Sequence, residues 1–463
     1  MKKFGKWMAF LLFFVFLGIA LPLISMVFTR TDAVSAVIIR EMQEADDIEL
    51  AMVGSSVVEY QMDPEVITRE TGLKTFDVTV VSAGLQMLRA VTENMYVKNN
   101  PKLVVLCMEP DILNAVKESP EANYKGGPFL KGLGTRLRYY LDTAGDDHQY
   151  LERLIRMRGF GVENLEDVSK TIAFHLNAKE AFSKIEEEMP DGAVYRGRGY
   201  VAHQTGTEEG EASIRQMLYR DENDVDWAPM YDNCKRRILE FRDLVESRGS
   251  RFLVLICPQH AARVLSQPSF LSYCENLQKF CQENHMDCIN LQMATPQLLP
   301  ELDGYYYDPF HLNEEGAALF SEVVGKVLDT YLKGGDMTGW FFPSRWEYLD
   351  SIDRVTNTWL FPVNDSEEYD EEYDEEYGAG EYVAGCNAGL DVEAEYRFVL
   401  VTPGGDEYTL QDYSEENTYQ FEVPEECQLR VYARPVGGEQ DPRVFYDYPG
   451  DYNAFAKQHP AGW

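Results

Sequence analysis

Apolar and polar residues along the chain fall into two alternating rhythms. Strand candidates occur at Ile48–Val53, Thr75–Val80, Leu103–Met108, Phe252–Cys257 and Met286–Leu291; the third and fourth are near-continuous apolar runs, as expected for parallel strands buried on both faces. Between them lie stretches with helical periodicity, among them Leu85–Lys98 and Leu271–Asn284. The clearest helix follows Asn313, where Phe320, Val323, Val324, Val327, Leu328 and Tyr331 recur at i, i+3, i+4, i+7. Asn313 is its natural N-cap, Glu314 and Glu315 complement the positive end, and Gly334-Gly335 stops the run. Five strands with crossover helices predict a three-layer α/β/α domain over residues 31–335, with ligands bound at the carboxyl ends of the strands.

The flanks read differently. Met1 to Lys6 carry three lysines, and Trp7 to Phe28 is apolar almost throughout. About 20 such residues span a bilayer, and lysines ahead of them place the amino terminus inside. With no convincing Ala-x-Ala site after it, residues 1–30 are expected to be a single-pass membrane anchor holding an extracytoplasmic domain. Residues 112–249 are far longer than an ordinary crossover and form an insertion with helical pieces (Tyr150–Arg158, Val168–Met189) and a loop at Gly192–Gly199. A lid or substrate-binding wall and a peripheral helical subdomain are equal expectations for it. Its Arg196, Arg198 and Tyr200 are candidate contacts for an anionic polymer.

After Gly335 the pattern changes again. Residues 336–382 read as a linker, aromatic-rich over Trp340–Pro362 and then acidic and repetitive from Asp365 to Tyr377. Beyond it, Tyr396–Thr402, Thr418–Val423 and Gln428–Ala433 look like strands of a small β-sandwich over residues 383–450. Its many aromatic residues fit carbohydrate binding and ordinary strand composition alike.

Composition narrows the chemistry. The chain has 463 residues, enough for more than one domain, and its formal charge of -36 argues against nucleic acid and anionic lipid as partners. Its 8 cysteines show no metal spacing and no Gly-rich phosphate loop is present, so neither metal nor cofactor is expected. Cys386 and Cys427 are candidates for a disulfide in an oxidising exterior, whereas Cys107 and Cys257 end buried strands and read as core thiols.

Two motifs carry candidate chemistry. Tyr307-Asp308-Pro309-Phe310-His311-Leu312-Asn313-Glu314-Glu315-Gly316 sets an Asp three residues before a His on the turn into the last α/β helix. A carboxylate at that spacing can fix the tautomer of the imidazole and stabilise its charged form. At the other end of the domain the first strand runs into Gly54-Ser55-Ser56, where a glycine allows a sharp turn that presents a serine hydroxyl beside backbone N–H groups. The chain order is then Ser…Asp…His, and all three fall at the carboxyl edge of the predicted sheet.

This pairing resembles the SGNH/GDSL hydrolase superfamily over roughly residues 45 to 333. The Gly-Ser-Ser variant, the His-Leu-Asn-Glu-x-Gly run and the amino-terminal anchor are similar to a branch that includes the D-alanine transfer protein of teichoic acid synthesis and the alginate O-acetyltransferases. The resemblance implies a flavodoxin-like fold, Ser56 as nucleophile (Ser55 is the second choice), and His311 and Asp308 as its base and orienting acid. It places the oxyanion hole at the amides of Ser56 and Gly84. The expected Gly-x-Asn-Asp block is replaced by Met108-Glu109-Pro110-Asp111, which removes a donor and leaves Glu109 as a candidate substrate contact. His260, on the loop after the fourth strand, is a second candidate at the pocket rim.

The function implied is transfer of an acetyl or D-alanyl group to a cell-surface glycan or teichoic acid, with a multi-span membrane O-acyltransferase as partner. A surface carbohydrate esterase and a non-catalytic envelope binding or assembly protein are the alternatives.

Overall fold

The computed structural model of the protein describes residues 5–16, 20, 33–109, 118–157, 193–203, 230–267, 269–308, 310–363 and 380–450. Helix α1 spans Ala33–Glu44, and β1 follows at Leu50–Gly54. The chain continues through α2 (Ser56–Gln61), α3 (Pro64–Thr71), β2 (Thr75–Thr79), α4 (Leu85–Met95) and β3 (Leu103–Met108). Then come α5 (Pro120–Lys125), α6 (Leu133–Asp147), α7 (Tyr150–Met157), β4 (Ala193–Gly197), β5 (Tyr200–His203) and α8 (Asp232–Ser247). The α/β part closes with β6 (Arg251–Ile256), α9 (Ala261–Ser266), α10 (Ser269–Glu283), β7 (Asp287–Asn290) and α11 (Glu314–Lys333).

Strands β1, β2, β3, β6 and β7 form one parallel sheet in the order β2-β1-β3-β6-β7. Alternation along β3 and β6 explains why these two central strands look apolar almost throughout. Val104, Leu106, Val254 and Ile256 point into one core with Ile38, Val91, Phe241 and Leu277, whereas Leu103, Val105, Leu253 and Leu255 point into another with Ile67, Phe320 and Val324. Helices α1, α4, α8 and α10 thus cover one face and α2, α3 and α11 the other. At ~1.5–3 kcal/mol for each fully buried large aliphatic or aromatic side chain, this two-sided burial is the main force holding the domain together.

The long insertion divides into parts with different jobs. Helices α5 to α7 gather outside α4, and the Tyr150–Arg158 expectation becomes Tyr150–Met157. Val168–Met189 lies outside the described residues. Asp232–Ser247, counted above within the insertion, is the crossover helix α8, packed on α4 and β6. Of the expected loop Gly192–Gly199, the described residues 193–199 are instead the first strand and turn of a β4–β5 hairpin. Its tip bonds to the edge strand β2, where the Asp77 amide donates to the Arg198 carbonyl at 2.9 Å. Arg198 and Tyr200 are therefore structural: Arg198 reaches the Thr75 carbonyl, Asp47 and Glu41, and Tyr200 is buried. Arg196 pairs with Glu314 at 2.6 Å on the surface.

The linker expectation for 336–382 is also corrected. Trp340 and Phe341 pack against the α11 side of the sheet, Arg345–Asp350 forms α12, and Val355–Val363 is strand β8. Strands β9 (Gly380–Ala388), β10 (Ala394–Val401), β11 (Glu407–Ser414), β12 (Thr418–Phe421), β13 (Gln428–Pro435) and β14 (Phe445–Tyr448) complete two antiparallel sheets, β11-β10-β13-β14 and β12-β9-β8. Leu360, Tyr382, Phe398, Val431 and Tyr446 share the core between them. Strand β8 pairs with β9, with Val363 opposite Glu381; the acidic repeat between them lies outside the described residues. Cys386 and Cys427 are both free thiols, and Cys386 contacts the Tyr396 hydroxyl at 3.3 Å, so the expected disulfide is absent.

At the amino terminus, residues 5–16 are helical with Trp7, Phe10, Leu11 and Phe16 exposed. Among the described residues no helix is long and apolar enough to cross a membrane, and most of Leu17–Phe28 lies outside them.

Candidate active site at the carboxyl edge of the sheet

Strand β1 ends at Gly54, and Ser55 caps a short helix whose first residue is Ser56. A Cβ at Gly54 would lie 2.2 Å from the Val58 side chain, so the tight return of chain over strand needs glycine there. The Ser55 side chain makes no capping bond; it donates to Glu109 Oε2 at the end of β3. That bond ties the turn to the neighbouring strand and leaves Ser56 as the hydroxyl that meets His311. The first turn of a helix also leaves amide N–H groups without intrahelical acceptors, a local source of positive potential beside Ser56.

The second half of the site is a closed loop. Tyr306 and Leu312 form an antiparallel bridge, the Tyr307 amide donates to the His311 carbonyl at 2.8 Å, and the Asn313 amide donates to the Tyr305 carbonyl at 2.8 Å. Asn313 then caps α11 by accepting from the Gly316 amide at 2.9 Å. Gly316 must be glycine because a Cβ there would lie 2.5 Å from that of Tyr305. Inside the loop Asp308 Oδ1 accepts from the amides of Phe310 and His311, both at 2.8 Å, and its Oδ2 lies 2.7 Å from His311 Nδ1. The other ring nitrogen, Nε2, is 2.9 Å from Ser56 Oγ. Burial raises the Asp308 carboxyl, but its bond to His311 and the two amides outweigh that and hold it below the usual carboxylate range. The three residues singled out in sequence, 255 positions apart at their extremes, form one hydrogen-bonded relay.

Other candidates stand elsewhere. Gly84, the expected oxyanion donor, gives its N–H to Glu118 Oε1 at 2.6 Å. Glu118 also accepts from the amides of Met87 (2.8 Å) and Ser119 (3.2 Å), so this insertion residue caps α4 and takes up the donor that Gly84 was expected to offer. Glu109 is buried beside Ser55 and accepts from its hydroxyl. His260 caps α9, accepting at Nδ1 from the Ala262 amide at 3.1 Å. It lines a cavity of about 90 Å³ with Asp303, Arg354, Asn357 and Arg443, between the parallel sheet and the two-sheet unit; none of Ser56, Asp308 or His311 lines it. Burial, partly offset by Asp303, pushes the His260 imidazole below its usual range, against a role as a charged contact. Among the described residues no cluster of side chains suits a metal ion.

Aromatic rings not singled out in sequence surround His311. Tyr60, one helical turn after Ser56, meets its imidazole edge-on at 4.9 Å. His203, at the end of β5, contacts Tyr60 and stacks on Tyr307. The i, i+4 spacing of Ser56 and Tyr60 was a usable signal; nothing local marked His203.

Glu118 gives a pH prediction. Burial outweighs its three amide partners and Arg153, pushing its carboxyl up to about 7 from a reference value of 4.5. Between those values the folded chain holds a proton that the unfolded chain has released, so stability falls as pH rises through this window. Acidification from pH 8 to pH 6 should raise the melting temperature, by an amount worth ~1–3 kcal/mol from this group. The slope should flatten in Glu118→Gln; an unchanged slope would assign the effect to the overall acidic charge.

No model of a known protein family and no curated protein matches the chain.

Proposed function

We propose that the protein is a membrane-anchored, extracytoplasmic serine acyltransferase of the SGNH kind, acting on a cell-surface polysaccharide or teichoic acid. The observation that carries this reading is the relay from Asp308 Oδ2 through His311 to Ser56 Oγ, at 2.7 and 2.9 Å, on the edge of a parallel sheet where ligands bind. In the first half-reaction His311 Nε2 takes the proton of Ser56 Oγ as that oxygen attacks an ester or thioester carbonyl. The imidazolium, held by ionised Asp308, returns the proton to the leaving group, and an acyl-serine remains. In the second, His311 deprotonates an acceptor hydroxyl, which attacks the acyl-serine, and the imidazolium returns that proton to Ser56 Oγ as it leaves.

A weak point of the site bears on the kind of acyl donor it suits. With no asparagine donor in Met108-Glu109-Pro110-Asp111 and the Gly84 amide held by Glu118, oxyanion stabilisation rests on the start of α2. Loss of one donor costs ~2.7–4 kcal/mol of transition-state stabilisation. Such a site suits a reactive acyl donor delivered by a membrane partner better than slow, unactivated esters. The same two features favour the runner-up, a non-catalytic envelope binding or assembly protein; a surface carbohydrate esterase is the alternative within enzymes.

The test is turnover of p-nitrophenyl acetate by residues 31–463 with and without polysaccharide acceptors. Acetylated glycan and acceptor-dependent p-nitrophenol release support transfer. Turnover indifferent to acceptor supports the esterase. No turnover, together with no labelling by a serine-directed fluorophosphonate, overturns the enzyme reading.

A further inference from the structure

Two hydrogen bonds, one at each nitrogen, hold the His311 ring between Asp308 and Ser56. They leave one freedom: the ring can tilt about the line that joins them. Besides the bond to Cβ, ring contacts restrain that tilt: Phe310, with centroids 6.1 Å apart, and, closer, Tyr60, whose ring centroid lies 4.9 Å away at an interplanar angle of 75°. Edge-to-face pairs of this kind are attractive and directional.

Tyr60 is itself held. The His203 imidazole lies 4.7 Å from its ring centroid, and on Tyr307 it stacks nearly parallel, 4.0 Å away with 11° between planes. Tyr307 precedes Asp308 and donates its amide to the His311 carbonyl at 2.8 Å. The four rings therefore close a circuit that begins and ends on one loop: His311, Tyr60, His203, Tyr307. Only His203 comes from the insertion. Strand β5 brings it there by packing on α2, while the hairpin tip is fixed to β2 through Arg198. His203 itself is 7% exposed.

From this circuit we infer that His203 is a positioning residue, which through Tyr60 sets the plane of the His311 imidazole and makes the insertion hairpin part of the active site. The inference rests on the Ser56–His311–Asp308 reading given above. The role assigned is that of a flat ring, not of a proton donor or a ligand contact, and this distinction makes it testable.

The experiment compares full-chain wild type with His203→Ala, His203→Phe and His203→Gln. It reads the second-order rate of fluorophosphonate labelling of Ser56, and kcat and KM for p-nitrophenyl acetate. Displacement of a reacting group by about 1 Å can cost ~10²-fold, so His203→Ala should lower the labelling rate and kcat about tenfold or more. KM should stay within about twofold, because the small ester does not need the hairpin for binding. His203→Phe, which keeps a ring, should recover most of the loss; His203→Gln, which keeps hydrogen-bonding atoms but no ring, should not. Wild-type rates in His203→Ala, or rescue by Gln equal to that by Phe, would overturn the inference alone. If His203→Ala does not fold, the Phe and Gln variants decide the question between them. A wild-type chain that neither labels nor turns over ester overturns the underlying triad reading, and the inference with it.

Discussion

Replacing Ser56 by alanine should lower ester turnover by about 10⁶-fold, the scale seen when a triad nucleophile is removed, and leave the fold unchanged. The loss is that of the one oxygen positioned 2.9 Å from His311 Nε2. The fold should survive because Ser56 is the first residue of α2 and not its cap, its hydroxyl bonds to His311, and alanine is the best helix former. Melting temperature and kcat measured on one preparation check both halves. A variant that keeps turnover would shift the nucleophile to Ser55, whose hydroxyl is otherwise held by Glu109.

The second large effect is expected for Asp308→Asn, about 10⁴-fold in kcat. Asparagine can keep Oδ1 as acceptor for the amides of Phe310 and His311, so the loop should hold its shape. What changes is the partner of His311 Nδ1. An amide NH₂ in place of Oδ2 must donate, so Nδ1 becomes an acceptor and the ring proton moves to Nε2, facing Ser56 Oγ. In that tautomer the imidazole cannot take the serine proton. A pH–rate profile separates this from simple loss of charge, since Asp308 in the wild type stays ionised well below neutral pH. Asp308→Ala should lose activity to a similar degree but also loosen the loop. Equal melting temperatures for the Asn and Ala variants would contradict the role given to the two amide bonds.

These two residues were legible in sequence because each sits in a motif with its own local mechanics. Gly54 before Ser55-Ser56 and Asn313 with Gly316 after His311 announce a turn and a capped helix, and those turns hold the side chains. The central strands β3 and β6 were legible for an equally direct reason: strands buried on both faces carry no polar alternation, and Leu103–Met108 begins and ends where its apolar run does. The misreadings share a different cause, contacts across long sequence separations. Gly84 looks like an open donor until Glu118, 34 residues away, arrives to cap α4. His203 ends a four-residue strand that resembles any buried segment until the hairpin folds onto α2. Val355–Val363 has the β-branched and aromatic residues of a strand, but Pro362 and the acidic run beside it gave the stretch the look of a linker. Its partner β9 lies beyond that run, so no local window held both strands of the pair.

The central claim is that Ser56 is a nucleophile activated by His311. Its most direct test is reaction of the wild-type chain with a fluorophosphonate, followed by digestion and fragment mass spectrometry to locate the adduct. The account predicts one adduct, on Ser56, absent from Ser56→Ala and strongly slowed in Asp308→Asn. An adduct on Ser55, equal labelling of wild type and Ser56→Ala, or no adduct under conditions that label a reference serine hydrolase would contradict it.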